Sequence, residues 1–370
     1  MSPLGTPRSV TDAIERALPE LYRYPDPYCR ALVQTISEYE GVPKNFVLCG
    51  NGASELIYAY CGAVRPKRAM ELAPTFSEYS LALRRTGCEV VRFALKQEEN
   101  FDLRENFLPI LAREKIDALF LCNPNNPTGA VYPKETLLKL VDIAREFGLI
   151  IFADEVYDKI LYEDAKHIAI ASLSTDVLTI TFNSLSKAYR ACGYRAGWMI
   201  ISGNKLPARD FIEGLNMLAN MKLCANVPGQ WAIQTALGGY QSINDLVCEG
   251  GRLRVQRDLA WELLTQIPGV TCVKPQGSLY MFPRLDPKIY PIENDRQFFK
   301  ELLEATRVLL VQGTGFNWPH PDHFRVVFLP HEPQLREAIS RIAEYLAAWR
   351  AAHPVKEEPA TPRKKEGAAE

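Results

Sequence analysis

The run Leu149-Ile150-Ile151-Phe152-Ala153 is apolar from end to end and stops on the acidic pair Asp154-Glu155. A strand with no polar side has no face to offer water, so it belongs in a sheet covered on both faces. Its surroundings repeat the theme. Ala118 to Cys122 is a second short apolar run, closed by an Asn/Pro/Gly turn, and Val177 to Phe182 and Ala196 to Ile201 read as two more. Phe46 to Cys49 reads as a strand, followed by the turn Gly50-Asn51-Gly52 and a helix from Ser54 to Val64. Pro133 opens a helix through Phe147, with Leu137, Leu140, Val141 and Ala144 on one face and Gly148 as its stop. This alternation predicts an α/β fold, a mostly parallel central sheet with helices on both faces.

Past Gly251 the texture changes. A helical stretch from Arg252 to Leu264 is followed by short apolar runs at Val270 to Val273 and Leu279 to Phe282. A helix near Asp295 to Ala305, strands at Val308 to Val311 and Phe324 to Phe328, and a helix from about Gln334 to Trp349 complete the pattern. It predicts a smaller α+β domain over residues 251–352, beside a large domain over 30–250, in keeping with the chain length of 370 residues. Residues 353–370, rich in Lys, Glu, Pro and Ala, are expected to form a disordered tail, because they have little apolar area to bury.

The formal net charge is −1, so no overall field draws the chain to nucleic acid or to an anionic membrane. No apolar run approaches the length of a membrane span, and the first ten residues hold no apolar leader segment. Nine cysteines without a C-x-x-C pair suit a reducing compartment, so a cytoplasmic enzyme is expected. Five histidines are sparse; His320 and His323 lie close in sequence, with no cysteine or glutamate at ligand spacing, and no metal site is expected.

Four segments carry chemistry. Gly50-Asn51-Gly52-Ala53-Ser54-Glu55 sits where a strand turns into a helix; small residues there let N–H groups close on an anion, though a plain turn with Ser54 as N-cap fits as well. Asn123-Pro124-Asn125-Asn126-Pro127-Thr128-Gly129 is a turn that holds Asn126 in one orientation. Asp154-Glu155-Val156-Tyr157 leaves the carboxyl end of an apolar strand, where ligands of open α/β sheets bind, and a carboxylate there needs a cationic partner. Ser184-Leu185-Ser186-Lys187, with Arg195 and Gly197 downstream, places a lysine after another apolar strand; desolvation makes such an amine a nucleophile for an aldehyde.

In this order and spacing the four segments resemble the fold-type I, class I/II aminotransferases, from about residue 3 to about 350. The resemblance implies pyridoxal 5′-phosphate as cofactor, held as a Schiff base on Lys187, which also moves the substrate proton. It implies Asp154 as partner of the ring nitrogen, Tyr157 and Asn126 as donors to the ring 3′-oxygen, and Phe76 stacked on the ring. Gly52, Ala53, Ser54, Ser184 and Arg195 become the phosphate cradle, joined by Tyr24 from the neighbouring subunit of a homodimer. Arg325, with Asn126 beside it, is expected to clamp the substrate carboxylate. Read without the resemblance, Phe76 is a core residue and Arg325 a surface ion pair.

The two halves resemble different relatives within the family. Pro3 to Pro7, Arg23 to Pro27 and Pro74 to Tyr79 are similar to threonine-phosphate decarboxylases and histidinol-phosphate aminotransferases; after Gly129 the chain is similar to bacterial alanine (glutamate–pyruvate) aminotransferases. A mosaic joined near Asn126 to Gly129 is one expectation, and a mosaic that binds cofactor but turns over poorly is its extreme. The resemblance implies an N-terminal arm over residues 1–29, expected to be shortened. A DNA-binding regulator on this fold would need an added domain, and none is expected before Tyr24 or after Trp349. Because Lys187, Arg195 and Arg325 all lie in the second half, transamination between an alanine- or glutamate-like amino acid and a 2-oxo acid is favoured, with an L-threonine O-phosphate decarboxylase or a histidinol-phosphate aminotransferase-like enzyme as the alternative.

Overall fold

The computed structural model describes residues 3–221 and 223–354. Seven strands form the main sheet: β1 (Val47–Gly50), β2 (Arg68–Ala73), β3 (Glu89–Ala94), β4 (Ala118–Cys122), β5 (Ile150–Asp154), β6 (Thr179–Ser184) and β7 (Gly197–Ser202). Their order across the sheet is β1-β7-β6-β5-β4-β2-β3. All neighbours are parallel except β7, which runs antiparallel to β1 and β6. The apolar run Leu149 to Ala153 thus lies in the middle strand of the sheet, β5, as its lack of a polar face requires.

Strand alternation divides the core in two. Leu119, Leu121, Ile151 and Ala153 pack with Leu137, Leu140, Val141 and Ala144 of the helix Lys134–Phe147. Phe120, Phe152, Ile180 and Phe182 point the other way, toward Leu56, Ile57 and Tyr60 of the helix Ala53–Val64. On that second face the Phe152 ring stands 4.2 Å from Phe120 and 4.3 Å from Phe182, centroid to centroid. Gly148 ends the first helix in the left-handed region at φ 66, where a side chain would be strained.

Two strands absent from the sequence reading complete the sheet. β2 carries Arg68 and Glu71, which break its apolar pattern, although Glu71 is fully buried and bound to Arg92 Nε at 2.8 Å. β3 is an edge strand with no fully buried residue, its Glu89, Arg92 and Ala94 exposed. The expected strand Val177 to Phe182 begins two residues later, because the ladder with β5 starts at Thr179.

The remaining strands are short and antiparallel. Val270–Thr271 pairs with Arg284–Leu285, and Phe324–Val327 lies between Val311–Gln312 and Tyr280–Met281. The strand expected over Val308 to Val311 shrinks to its end, since Leu309 is 75% exposed and only Val311 and Gln312 find partners. Helices Arg252–Thr265, Asp295–Thr306 and Glu332–Ala352 cover these strands, the last burying Leu335, Ile339, Ile342 and Leu346 on one stripe. No helix among the described residues is long and apolar enough to cross a membrane. The expected tail lies, from residue 355 onward, outside the described residues.

Candidate active site

β4, β5 and β6 are parallel and in register, so the segments that follow them converge at one edge of the sheet: Asn123–Gly129, Asp154–Tyr157 and Ser184–Lys187. Asp154, the last residue of β5, is 4% exposed. Its Oδ2 accepts a 2.5 Å hydrogen bond from the Tyr79 hydroxyl, and among the described residues its Oδ1 accepts only a long one, 3.4 Å, from the Val156 N–H. Burial pushes this carboxyl above the usual range, opposed by Tyr79, by the Val156 N–H and by the charge of Lys187. A buried carboxylate with one oxygen so weakly satisfied fits a protonated ring nitrogen.

Lys187 is half-buried, with Nζ 3.4 Å from the Tyr280 hydroxyl and 5.4 Å from the centre of the Tyr157 ring. The Tyr157 hydroxyl donates to Tyr280 Oη at 3.2 Å. Burial and the Tyr280 oxygen push Tyr157 well above the ordinary tyrosine range. Burial would do the same to Tyr280, but the charges of Lys187 and Arg325 and the bond from Tyr157 win and hold it below that range. Tyr157 is therefore the weaker acid of the two, in keeping with its part as the donor in their hydrogen bond.

Arg325 leaves the middle strand of the three-stranded sheet, and its guanidinium lies 4.3 Å from the Tyr280 ring centre and 4.6 Å from that of Phe316. Two aromatic faces fix its plane. Nη1 donates to Asn126 Oδ1 at 3.0 Å, while the buried Nε has no partner among the described residues. An unpaired N–H on a fixed guanidinium suits a carboxylate. With its oxygen taken by Arg325, Asn126 has its amide N–H groups left to donate. The surface ion pair expected for Arg325 without the resemblance gives way to these contacts with Asn126, Tyr280 and Phe316.

The third part is a cradle. The helix Ala53–Val64 starts after Gly52, whose φ 88 and ψ 161 leave it room only as glycine. Gly52 is the N-cap, so Ser54 lies in the first turn and is not the cap the turn alone suggested. A β-carbon on Gly52 would lie 2.5 Å from Arg195 Nη2, and one on Gly197 would lie 2.7 Å from the Ala53 nitrogen. Small residues thus bring a guanidinium against a helix N-terminus, a combination that suits a phosphate. Arg195 Nη1 is anchored on Cys192 O at 2.8 Å. Asn226 ties the cradle together, its Nδ2 donating to Asn51 Oδ1 and to Arg195 O, both at 2.9 Å. Ser184 is buried at the end of β6, its hydroxyl accepting from the Ser186 N–H at 3.3 Å.

Pyridoxal phosphate fits this donor set: an amine for its aldehyde, a carboxylate for its ring nitrogen, amide and phenol donors for its ring oxygen, and a cationic cradle for its phosphate. Phe76 stands edge-on to Tyr79, with centroids 5.6 Å apart, beside the Asp154 end of the site. Tyr24 is 88% exposed and is not brought to the other residues within one chain. His323 lies apart, with Nδ1 bonded to Asp322 at 2.7 Å and Nε2 to Gln97 at 2.9 Å.

The model of the family described as aminotransferase class I and II matches residues 2–342. The chain belongs to the class I and II aminotransferases. Among curated members, the glutamate-pyruvate aminotransferase AlaA of Haemophilus influenzae is 50% identical over 312 residues, 84% of this chain and 77% of that protein. The alanine aminotransferase of Mycobacterium bovis is 48% identical over 326 residues, 87% of this chain and 76% of that protein. A crystal structure of an aminotransferase from Escherichia coli superposes with a TM-score of 0.88 at 44% identity, covering 92% of this chain and 87% of that one. This aminotransferase is accordingly a pyridoxal-phosphate enzyme that moves an amino group between an amino acid and a 2-oxo acid.

Four residues of the aminotransferase site carry no role in the sequence reading: Tyr79, Asn226, Tyr280 and Phe316. Tyr79 stands three residues beyond Phe76, a spacing that puts both on one side of a helical turn. Tyr280 lies in the short apolar run Leu279 to Phe282. Nothing local marks Asn226, whose partners Asn51 and Arg195 are distant in sequence, or Phe316, whose ring the sequence gives no reason to place under Arg325.

Proposed function

We propose that the enzyme is a cytoplasmic homodimer exchanging amino groups among L-alanine, L-glutamate and their 2-oxo acids. The observation that carries the substrate choice is the 48–50% identity to proteins named alanine and glutamate-pyruvate aminotransferases. The 312 aligned residues are more than the stretch after Gly129 could supply, so the first half shares in that likeness. The exposed tyrosines Tyr22, Tyr24 and Tyr28 support a partner surface, and the buried thiols Cys49, Cys61, Cys88 and Cys122 support a reducing compartment. Small-molecule substrates and a net charge of −1 support neither nucleic acid nor membrane as partner. We divide the chain into a large cofactor-binding unit over residues 30–250 and a small unit over 251–352, in keeping with where the two kinds of sheet draw their strands.

In this reading pyridoxal phosphate, when bound, supplies a conjugated ring that stabilises negative charge at the substrate Cα. Lys187 Nζ would hold its aldehyde and, as a free amine, would be the base placed to take and carry a proton at the substrate Cα. Asp154 holds the ring nitrogen protonated. Tyr157 and Asn126 hold the ring oxygen. The Ala53 and Ser54 N–H groups, Ser184 and Arg195 hold the phosphate. Arg325 fixes the substrate carboxylate beside Asn126, which leaves the Cα proton, not the carboxylate, as the group to be removed.

A single-turnover absorbance scan of cofactor-loaded protein tests this. L-alanine and L-glutamate should each convert the cofactor from its aldehyde to its amine form. An unchanged spectrum with both, together with CO₂ release from L-threonine O-phosphate, would overturn the reading.

A further inference from the structure

Asp154 has a partner that comes from a different element. Tyr79, in the helix Glu78–Arg85, is fully buried, and its hydroxyl lies 2.5 Å from Asp154 Oδ2. Its ring packs against Phe76, Phe120 and Phe152, with centroids 5.6, 6.0 and 5.3 Å away. A phenylalanine would fill that space equally well. What tyrosine adds is one hydrogen bond, and it is spent on this carboxylate.

The titratable groups around Asp154 leave Tyr79 a clear part. Lys187 brings a positive charge. The Cys122 thiol, like Tyr79 and Tyr157, is pushed up by burial and stays neutral. Glu155 is another acid that acts on Asp154, and it is turned away to His167 Nε2 at 3.1 Å and the Ile170 N–H at 3.1 Å. Tyr79 thus keeps its proton and can only donate it.

We propose that Tyr79 is a positioning residue for the cofactor ring: its hydroxyl keeps Asp154 ionised and occupies Oδ2, so that Oδ1 is the oxygen offered to the ring nitrogen. Without that donor the buried carboxyl moves toward its neutral form, which cannot hold the ring nitrogen protonated. The inference rests on Asp154 being the ring-nitrogen partner, as proposed above, and the experiment separates the two.

The experiment is a double-mutant cycle of Tyr79→Phe and Asp154→Asn, read by titrating pyridoxal phosphate into the apoprotein and by kcat and KM for the amino acid. Tyr79→Phe should weaken cofactor binding about ten- to a hundredfold, the size of one hydrogen bond to a charged group. It should lower kcat while leaving KM for the amino acid near the parent value, and it should have no further effect in the Asp154→Asn background. An equal loss in both backgrounds would make Tyr79 a packing residue and overturn the inference. Parent-like binding and turnover in Asp154→Asn alone would overturn the Asp154 assignment itself. The unmodified apoprotein gives a check that does not depend on any variant folding. A phenol proton held on a carboxylate gives a far-downfield, protected proton resonance that shifts as Asp154 titrates, and its absence would overturn the pairing.

Discussion

Gly52→Ala puts one methyl group where the cradle has no room for it. Two separate costs follow from the structure. The backbone at φ 88 and ψ 161 lies in a region essentially reserved for glycine, which costs roughly 1–3 kcal/mol for any other residue. The new β-carbon would also sit 2.5 Å from Arg195 Nη2, so the guanidinium must withdraw. Losing its bonds to a phosphate dianion removes roughly 1.5–3 kcal/mol of cofactor binding, a factor of about 10 to 100. The first cost is read in the apoprotein as a lowered Tm, of the order of a few degrees. The second is read by titrating pyridoxal phosphate into the apoprotein of parent, Gly52→Ala, Arg195→Ala and the double variant. Because both substitutions remove the same contact, the double variant should bind hardly less tightly than Arg195→Ala. A Gly52→Ala protein that melts low yet binds cofactor with parent affinity would refute the link between this glycine and the cradle. Fully additive losses would refute it as well.

Two further expectations come from other parts of the molecule. Arg325→Lys keeps the charge but loses the planar fork held between Tyr280 and Phe316, so KM for the amino acid should rise about 10- to 100-fold with the bound-cofactor absorbance unchanged; steady-state kinetics with L-alanine would show it, and an unchanged KM would move the carboxylate clamp elsewhere. Burial, only partly offset by Arg92, pushes Glu71 up to about 7. A raised carboxyl destabilises the fold progressively as pH climbs from the unfolded value of about 4.5 to that pKa. Relative to the parent, Glu71→Gln should therefore melt higher at pH 8 than at pH 5; a pH-independent difference in Tm would show that Glu71 is ionised throughout.

The sheet was legible where burial is uniform. β4 and β5 are buried almost end to end, and no alternative to a covered parallel strand fits such runs. β2 was not legible because Glu71 and Arg68 imitate a surface, and their compensation by Arg92, Glu89 and Glu114 comes from other elements. The site divides along the same line. Lys187, Asp154, Asn126 and Arg195 stand at the ends of strands or in turns whose sequence is unusual in itself. Tyr79, Tyr280 and Phe316 matter through what they touch. Tyr79 meets a residue 75 positions away, and Tyr280 meets Lys187 across 93, distances that no local pattern spans. The cradle is intermediate: Gly52 marks it in sequence, but the reason only glycine serves there is Arg195, which arrives from the loop before β7.

The most direct measurement is the absorbance spectrum and turnover of Lys187→Ala after loading with pyridoxal phosphate. With Nζ gone there is no amine at this site to bind the aldehyde and none to carry the Cα proton. The expected result is loss of the lysine-linked absorbance together with loss of transamination of L-alanine and L-glutamate, in a protein that still folds. A Lys187→Ala protein that retains that absorbance, or that turns over at the parent rate, would contradict the assignment on which the rest of the site depends.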